Sequence, residues 1–151
     1  MNFLIISAIT LFSSVVMASP SVGDSASYEL TANGTPLIQK VELTAFNPST
    51  QTYTQLETIE YLGQVQTQST EVQANEIISD AQIEQVLTSC QALGGVPEIV
   101  ATKIGNIETC ALSNAKLNAG EIINIGRVPF GIVQIQSSQI SGKIFSFKKG
   151  N

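Results

Sequence analysis

Residues 79–95 read SDAQIEQVLTSCQALGG, and the reading of this short stretch decides the fold. Ser79 stands as an N-cap with Gln82 at N3, an S-x-x-Q capping box, and Ile78 and Ile83 take the two positions of a hydrophobic staple. Ile83, Val86, Leu87, Cys90 and Leu93 recur at helical spacing, so one side of the helix is apolar and Cys90 belongs to it. Gly94 and Gly95 read as its stop. Elsewhere the chain alternates polar and apolar residues between turn signals. Parallel strands need crossover connections, usually helical, and one helix cannot supply them. The expected fold is therefore α+β: a mainly antiparallel sheet, curled or half-barrel in shape, with one central helix packed on one face.

Working outward, residues 98–112, EIVATKIGNIETCAL, read as a hairpin turning on Gly105-Asn106, with Gly first as a type II′ turn prefers. That register pairs Ile104 with Ile107, Lys103 with Glu108, Ala101 with Cys110 and Ile99 with Leu112. Alternation then gathers Ile99, Ala101, Cys110 and Leu112 on one apolar face for the helix to cover. The chain has two cysteines, Cys90 and Cys110, and an even count in an exported protein favours a disulfide. A zinc site would have to recruit carboxylates, because the chain has no His. A redox pair would normally be close in sequence, as in C-x-x-C. A Cys90–Cys110 staple between helix and hairpin is the expectation.

Upstream, SYELTANGTPLIQKVEL places Asn33-Gly34 between two alternating runs, a strong hairpin signal. Asn33-Gly34-Thr35 also matches a glycosylation sequon, which the turn explains without modification. Residues 37–46 and 52–62 read as strands separated by the turn cluster NPST. Residues 64–73, QVQTQSTEVQ, read as an exposed edge strand in preference to a connection. After the helix, strands are expected near 98–104, 107–113, 120–125, 130–136 and 142–148. GRVPFGI breaks that run, because Pro129 cannot donate to a ladder and Gly131 relaxes the backbone.

Residues 1–18, MNFLIISAITLFSSVVMA, form an apolar run with Val16 and Ala18 small at the −3 and −1 positions of a signal-peptidase site. Cleavage is expected between Ala18 and Ser19, leaving residues 19–151 as a single α+β domain with no membrane span. Phe3 to Met17 is short for a span and carries several hydroxyls. The expected location is periplasmic or secreted. A formal net charge of −5 argues against nucleic acid as a partner, since phosphate contacts need clustered Lys and Arg. Lys143, Lys148 and Lys149 are the basic cluster, read as solubility and protection of an edge strand.

Absent residues narrow the chemistry further. Without His, Ser-His-Asp and Cys-His catalysis and histidine metal sites are excluded. No G-x-S-x-G, S-x-x-K, G-x-G-x-x-G, P-loop or EF-hand pattern occurs. Glu57 and Glu60 lie an odd number apart on a predicted strand and so point to opposite faces. The expectation is a non-enzymatic protein with no catalytic residue, no metal and no cofactor. Tyr53, Ile59 and Tyr61 share one strand face and are read as packing groups in preference to a sugar-stacking platform.

The second half, with Cys90 followed by Gly94-Gly95, then Gly105 shortly before Thr109-Cys110, then the VPFG turn Val128 to Gly131, resembles uncharacterised secreted or lipoprotein-like proteins of Gram-negative bacteria. The resemblance covers about 60 residues. It implies a bacterial envelope setting, the same disulfide and a curled antiparallel sheet similar to periplasmic lipoprotein carriers, and it supplies no active site. Two functions follow as expectations. One is a structural or protein-interaction role through polar strands at 52–73, with an envelope protein as partner. The alternative is a carrier for a hydrophobic ligand held between sheet and helix.

Overall fold

The computed structural model describes residues 20–113 and 120–151. The expected cleavage site at Ala18 and Ser19 lies outside them. Four strands come first: β1 (Ser25–Ala32), β2 (Thr35–Asn47), β3 (Thr52–Tyr61) and β4 (Gln64–Gln73). A 3-10 turn at Ala74–Glu76 leads into α1 (Asp80–Thr88). Then follow β5 (Val96–Thr102), β6 (Gly105–Ser113), β7 (Ile122–Gly126), β8 (Ile132–Gln136) and β9 (Ile140–Lys148). All pairings are antiparallel and make one open sheet of order β4-β3-β2-β1-β9-β8-β7-β6-β5. Two meanders thus join along β1 and β9, with Leu30 opposite Gly142 at the seam.

Local chemistry sets each meander. Asn33 and Gly34 both have positive φ (49° and 81°), a type I′ turn whose twist matches its strands. Leu62 and Gly63 repeat that geometry between β3 and β4 (50° and 75°), although Leu rarely accepts it. At the seam, buried Asp24 accepts from the backbone N–H of Ser21 (2.9 Å) and of Gly150 (2.8 Å), tying the two ends of the described chain together.

The capping box forms as expected. The Ser79 hydroxyl accepts from Gln82 N–H (3.3 Å) while Gln82 Oε1 accepts from Ser79 N–H (2.8 Å). The helix stops earlier than Gly94-Gly95 predicts. Thr88 Oγ1 back-bonds to the carbonyls of Glu84 and Gln85, Ser89 caps the end, and turns carry the chain on to Gly95. Ile83, Val86 and Cys90 are buried and Leu87 packs at the margin, but Leu93 is 43 % exposed because the helix has already unwound there.

The Cys90–Cys110 disulfide is present, with Cα atoms 5.6 Å apart, and fastens the end of α1 to β6. The hairpin beneath it differs from the expected one. Its turn falls at Lys103-Ile104, with Thr102 opposite Gly105 and Pro97 opposite Cys110. Thr102 Oγ1 donates to the Gly105 carbonyl (2.7 Å) and accepts from Ile104 N–H (3.2 Å), so Gly105 closes the turn and does not open it. The slip is four residues, an even shift, so Cys110 keeps its face while its neighbours change.

Core side chains come from both meanders. Leu43, Ile83, Ile125, Val128, Val133 and Ile144 are all buried to 2 % exposure or less. Phe130, in the VPFG turn at φ 64°, points inward with Val128. Gly131 beside it leaves room for Ile78 and Ile83, whose methyls would lie 3.1–3.5 Å from any added Cβ. The staple pair therefore meets over this glycine. Outside, Arg127 donates to Glu84 on α1 and Glu108 on β6, and its guanidinium holds the Glu84 carboxyl below the usual range.

Candidate functional site

An open sheet has two edges, and unpaired edges template pairing with other chains unless something blocks them. The two edges here differ. On β5, Pro97 removes a donor at the second residue of the strand, and the Ala101 carbonyl is taken by Lys143 Nζ from β9 (3.0 Å). Lys103 at the turn also reaches Glu29 on β1. These contacts roll β5 back toward the seam. Of the basic cluster read as protecting an edge strand, Lys143 does so, reaching β5 from the central strand β9, whereas Lys148 lies further along β9 and Lys149 pairs with Asp80.

The β4 edge has none of these devices. It carries no proline, no lysine or arginine and no bulge, and it pairs with β3 residue for residue from Thr52–Gln73 to Tyr61–Gln64. From Gln64 to Glu71 every side chain is exposed. Gln64, Gln66, Gln68 and Thr70 share one face, beside Tyr61, Ile59, Glu57 and Gln55. Val65, Thr67 and Ser69 share the other, where Thr67 Oγ1 lies 3.4 Å from Thr58 Oγ1. Charge enters only at the end: Glu71 accepts from Thr52 Oγ1 (3.3 Å). The expected edge strand at 64–73 is thus present and unbulged.

The tyrosines separate. Tyr53 is buried, packs on Phe46 with ring centroids 4.6 Å apart, and donates its hydroxyl to the Pro20 carbonyl. Burial first, and the Asp24 charge second, push its hydroxyl pKa up. Tyr61 stays on the surface near the β3–β4 turn.

Two features had no counterpart in the sequence reading. On β6–β8 the face turned away from α1 buries Thr109, Asn124 and Gln134. Asn124 Nδ2 donates to the Glu98 carboxylate and to Thr109 Oγ1 (3.0 Å), while its Oδ1 is buried with no partner. Hydrophobic periodicity cannot find such a row, since it is polar and yet inside. The other is Gly95. A Cβ there would fall 2.5 Å from Cys110 Sγ, 2.9 Å from Cys90 Sγ and 2.8 Å from Leu112 Cδ2. The glycine is what lets the disulfide lie against the start of β5.

A concavity bounded by Asp24, Ile77, Asp80, Phe130 and Lys149 has room for about 40 Å³. Among the described residues no cluster of three or more His, Cys, Asp or Glu is placed to hold a metal ion, and no helix is long and apolar enough to cross a membrane. Comparison with protein-family models, with curated proteins and with solved structures finds no match.

Proposed function

We propose that this chain is an exported, non-enzymatic protein of a bacterial envelope whose role is to dock a partner by strand addition along β4. One observation carries the reading: a ten-residue edge strand, unbulged and exposed, with no proline, lysine or arginine to keep other strands away. Strand addition obtains its affinity from main-chain hydrogen bonds and needs no catalytic group. The disulfide supports an oxidising compartment. The carrier reading is less favoured. Its ligand would lie between sheet and helix, where Ile83, Val86, Cys110 and Ile125 are all packed to 2 % exposure or less.

A photo-activated cross-linking residue, p-benzoylphenylalanine, placed at Ser69 on the β4 edge and separately at Ala101 on the β5 edge tests this in the producing cells. Covalent adducts from Ser69 and none from Ala101 are expected. No adduct from Ser69, or the same adducts from both positions, would sink the proposal.

A further inference from the structure

We infer that the strand added to β4 is β4 of a second copy, paired antiparallel about a two-fold axis close to Thr67. The inference rests on the reading of β4 as a docking edge and identifies the partner. Directly opposite residues in an antiparallel pair point to the same side of the sheet. In a two-fold pair the same faces of the two copies adjoin, so residue i must meet a residue j of equal parity, and i + j is even. The segment Gln66-Thr67-Gln68 is its own mirror about Thr67. In the register centred there, Gln66 meets the other copy's Gln68, and each amide both donates and accepts. Thr67 meets Thr67, a favoured cross-strand pair, and Val65 meets Ser69.

Charge agrees with this choice of occupant. Each copy carries −5, which opposes self-association, yet the sequence from Gln64 to Thr70 is uncharged. Glu71 would lie opposite position 63, so the two Glu71 carboxylates stand roughly 27 Å apart along the strands, well beyond the Debye length at physiological salt. A heterologous partner would be expected to exploit the negative charge of this chain with cations along the strand. Nothing on β4 apart from Glu71 offers such a cation a counter-charge, and Glu57 and Glu60 lie one strand further in. The product is a single continuous sheet in which neither copy leaves a β4 edge free, a closed dimer and not a fibre.

The test uses purified exported protein. Sedimentation velocity should show a concentration-dependent dimer, and because the copies repel, association should strengthen as salt rises from about 0.01 M to 0.5 M. Thr67→Cys should yield a disulfide-linked dimer, while Thr58→Cys, on the same face one strand further in, should not. Its two copies would be about 14 Å apart, three strand spacings. Cys90 and Cys110 are buried in their own disulfide and cannot substitute. Thr67→Lys sets two like charges opposite each other and should weaken association at least about tenfold, with the melting temperature of the dilute monomer unchanged. A monomer up to about 1 mM, equal cross-linking at positions 67 and 58, or an unaffected Thr67→Lys dimer overturns the inference. A monomer whose Ser69 photoprobe captures a different polypeptide overturns self-pairing and leaves the edge reading standing. A monomer with no Ser69 adduct removes both.

Discussion

Replacing Gly95 by Ala separates two effects that ordinarily travel together. The backbone at Gly95 is not in the left-handed region, so alanine fits its conformation, and reduced freedom of the unfolded chain should favour the variant by about 0.4–1 kcal/mol. Against this stands the disulfide. An added Cβ would lie 2.5 and 2.9 Å from the two sulfurs, which are held at both ends and cannot rotate away, and 2.8 Å from a Leu112 methyl, which can. Overpacking a rigid site costs about 1–3 kcal/mol, so Gly95→Ala should destabilise the native protein by about 1–2 kcal/mol net. In a Cys90→Ala/Cys110→Ala background both sulfurs are gone, and the same substitution should be neutral or mildly stabilising. The background itself should lose about 3 kcal/mol, from the loop-closure entropy of a bridge spanning 20 residues. Urea unfolding of all four proteins closes the cycle, with equal slopes within each background confirming that Gly95→Ala leaves the unfolded state comparable there, and a steeper slope expected once the bridge is gone. An equal cost of Gly95→Ala in both backgrounds would refute the reasoning, since the clash would then lie with the backbone or Leu112.

Stability should fall as pH climbs above about 10, the ordinary tyrosine value. Tyr28 is fully buried and Tyr53 largely so, and burial raises both hydroxyl pKa values in the folded state. A raised folded value means the neutral form is preferred, so this contribution is fully present below the unfolded pKa and is lost as pH rises through the folded one. Tyr53→Phe should cost about 1 kcal/mol at neutral pH, through the lost bond to Pro20, and should flatten part of the alkaline loss. A pH series of melting temperatures that is identical for the two proteins above pH 10 counts against it. The intact mass of protein recovered from its own export route should begin at Ser19 and be two hydrogens light. A retained leader or free thiols would remove the compartment argument.

Where one rule dominated, the chain was legible. Asn33-Gly34 can form its turn with almost any neighbours, and the Ser79–Gln82 box is local, so both were readable from a few residues. Cys90 and Cys110 could be paired by count and compartment alone. The hairpin at 96–113 was harder, because Gly105 suits two turns and the Thr102 hydroxyl decides between them. Ile99 shows a deeper limit. Alternation assigned it to the covered face, and it does share a face with Cys110, yet it is 68 % exposed while Val100 on the reverse side is buried. The rule supposes one buried face per sheet. Here the sheet rolls at β5, so burial changes sides beyond the reach of the helix. The β4 edge was visible as a polar strand, but its lack of protection became apparent only beside the guarded β5 edge.

That roll also explains why β4 is polar on both faces. Nine strands span roughly 38 Å across the sheet, whereas a nine-residue helix is about 14 Å long. The helix packs on β6 and β7, and β4 lies at the far end of the strand order with neither face covered. Apolar residues there would form an exposed patch, so glutamine, threonine and serine are what the topology permits. A strand without a buried face is held only by its ladder to β3, and half of its main-chain groups point outward with no protein partner in the sheet. Such a strand should be the first to exchange its amide hydrogens in the isolated molecule, and pairing along its outer side should slow that exchange more than anywhere else in the chain. The polarity that makes β4 a poor core element is thus also what makes strand addition its most direct route to stability.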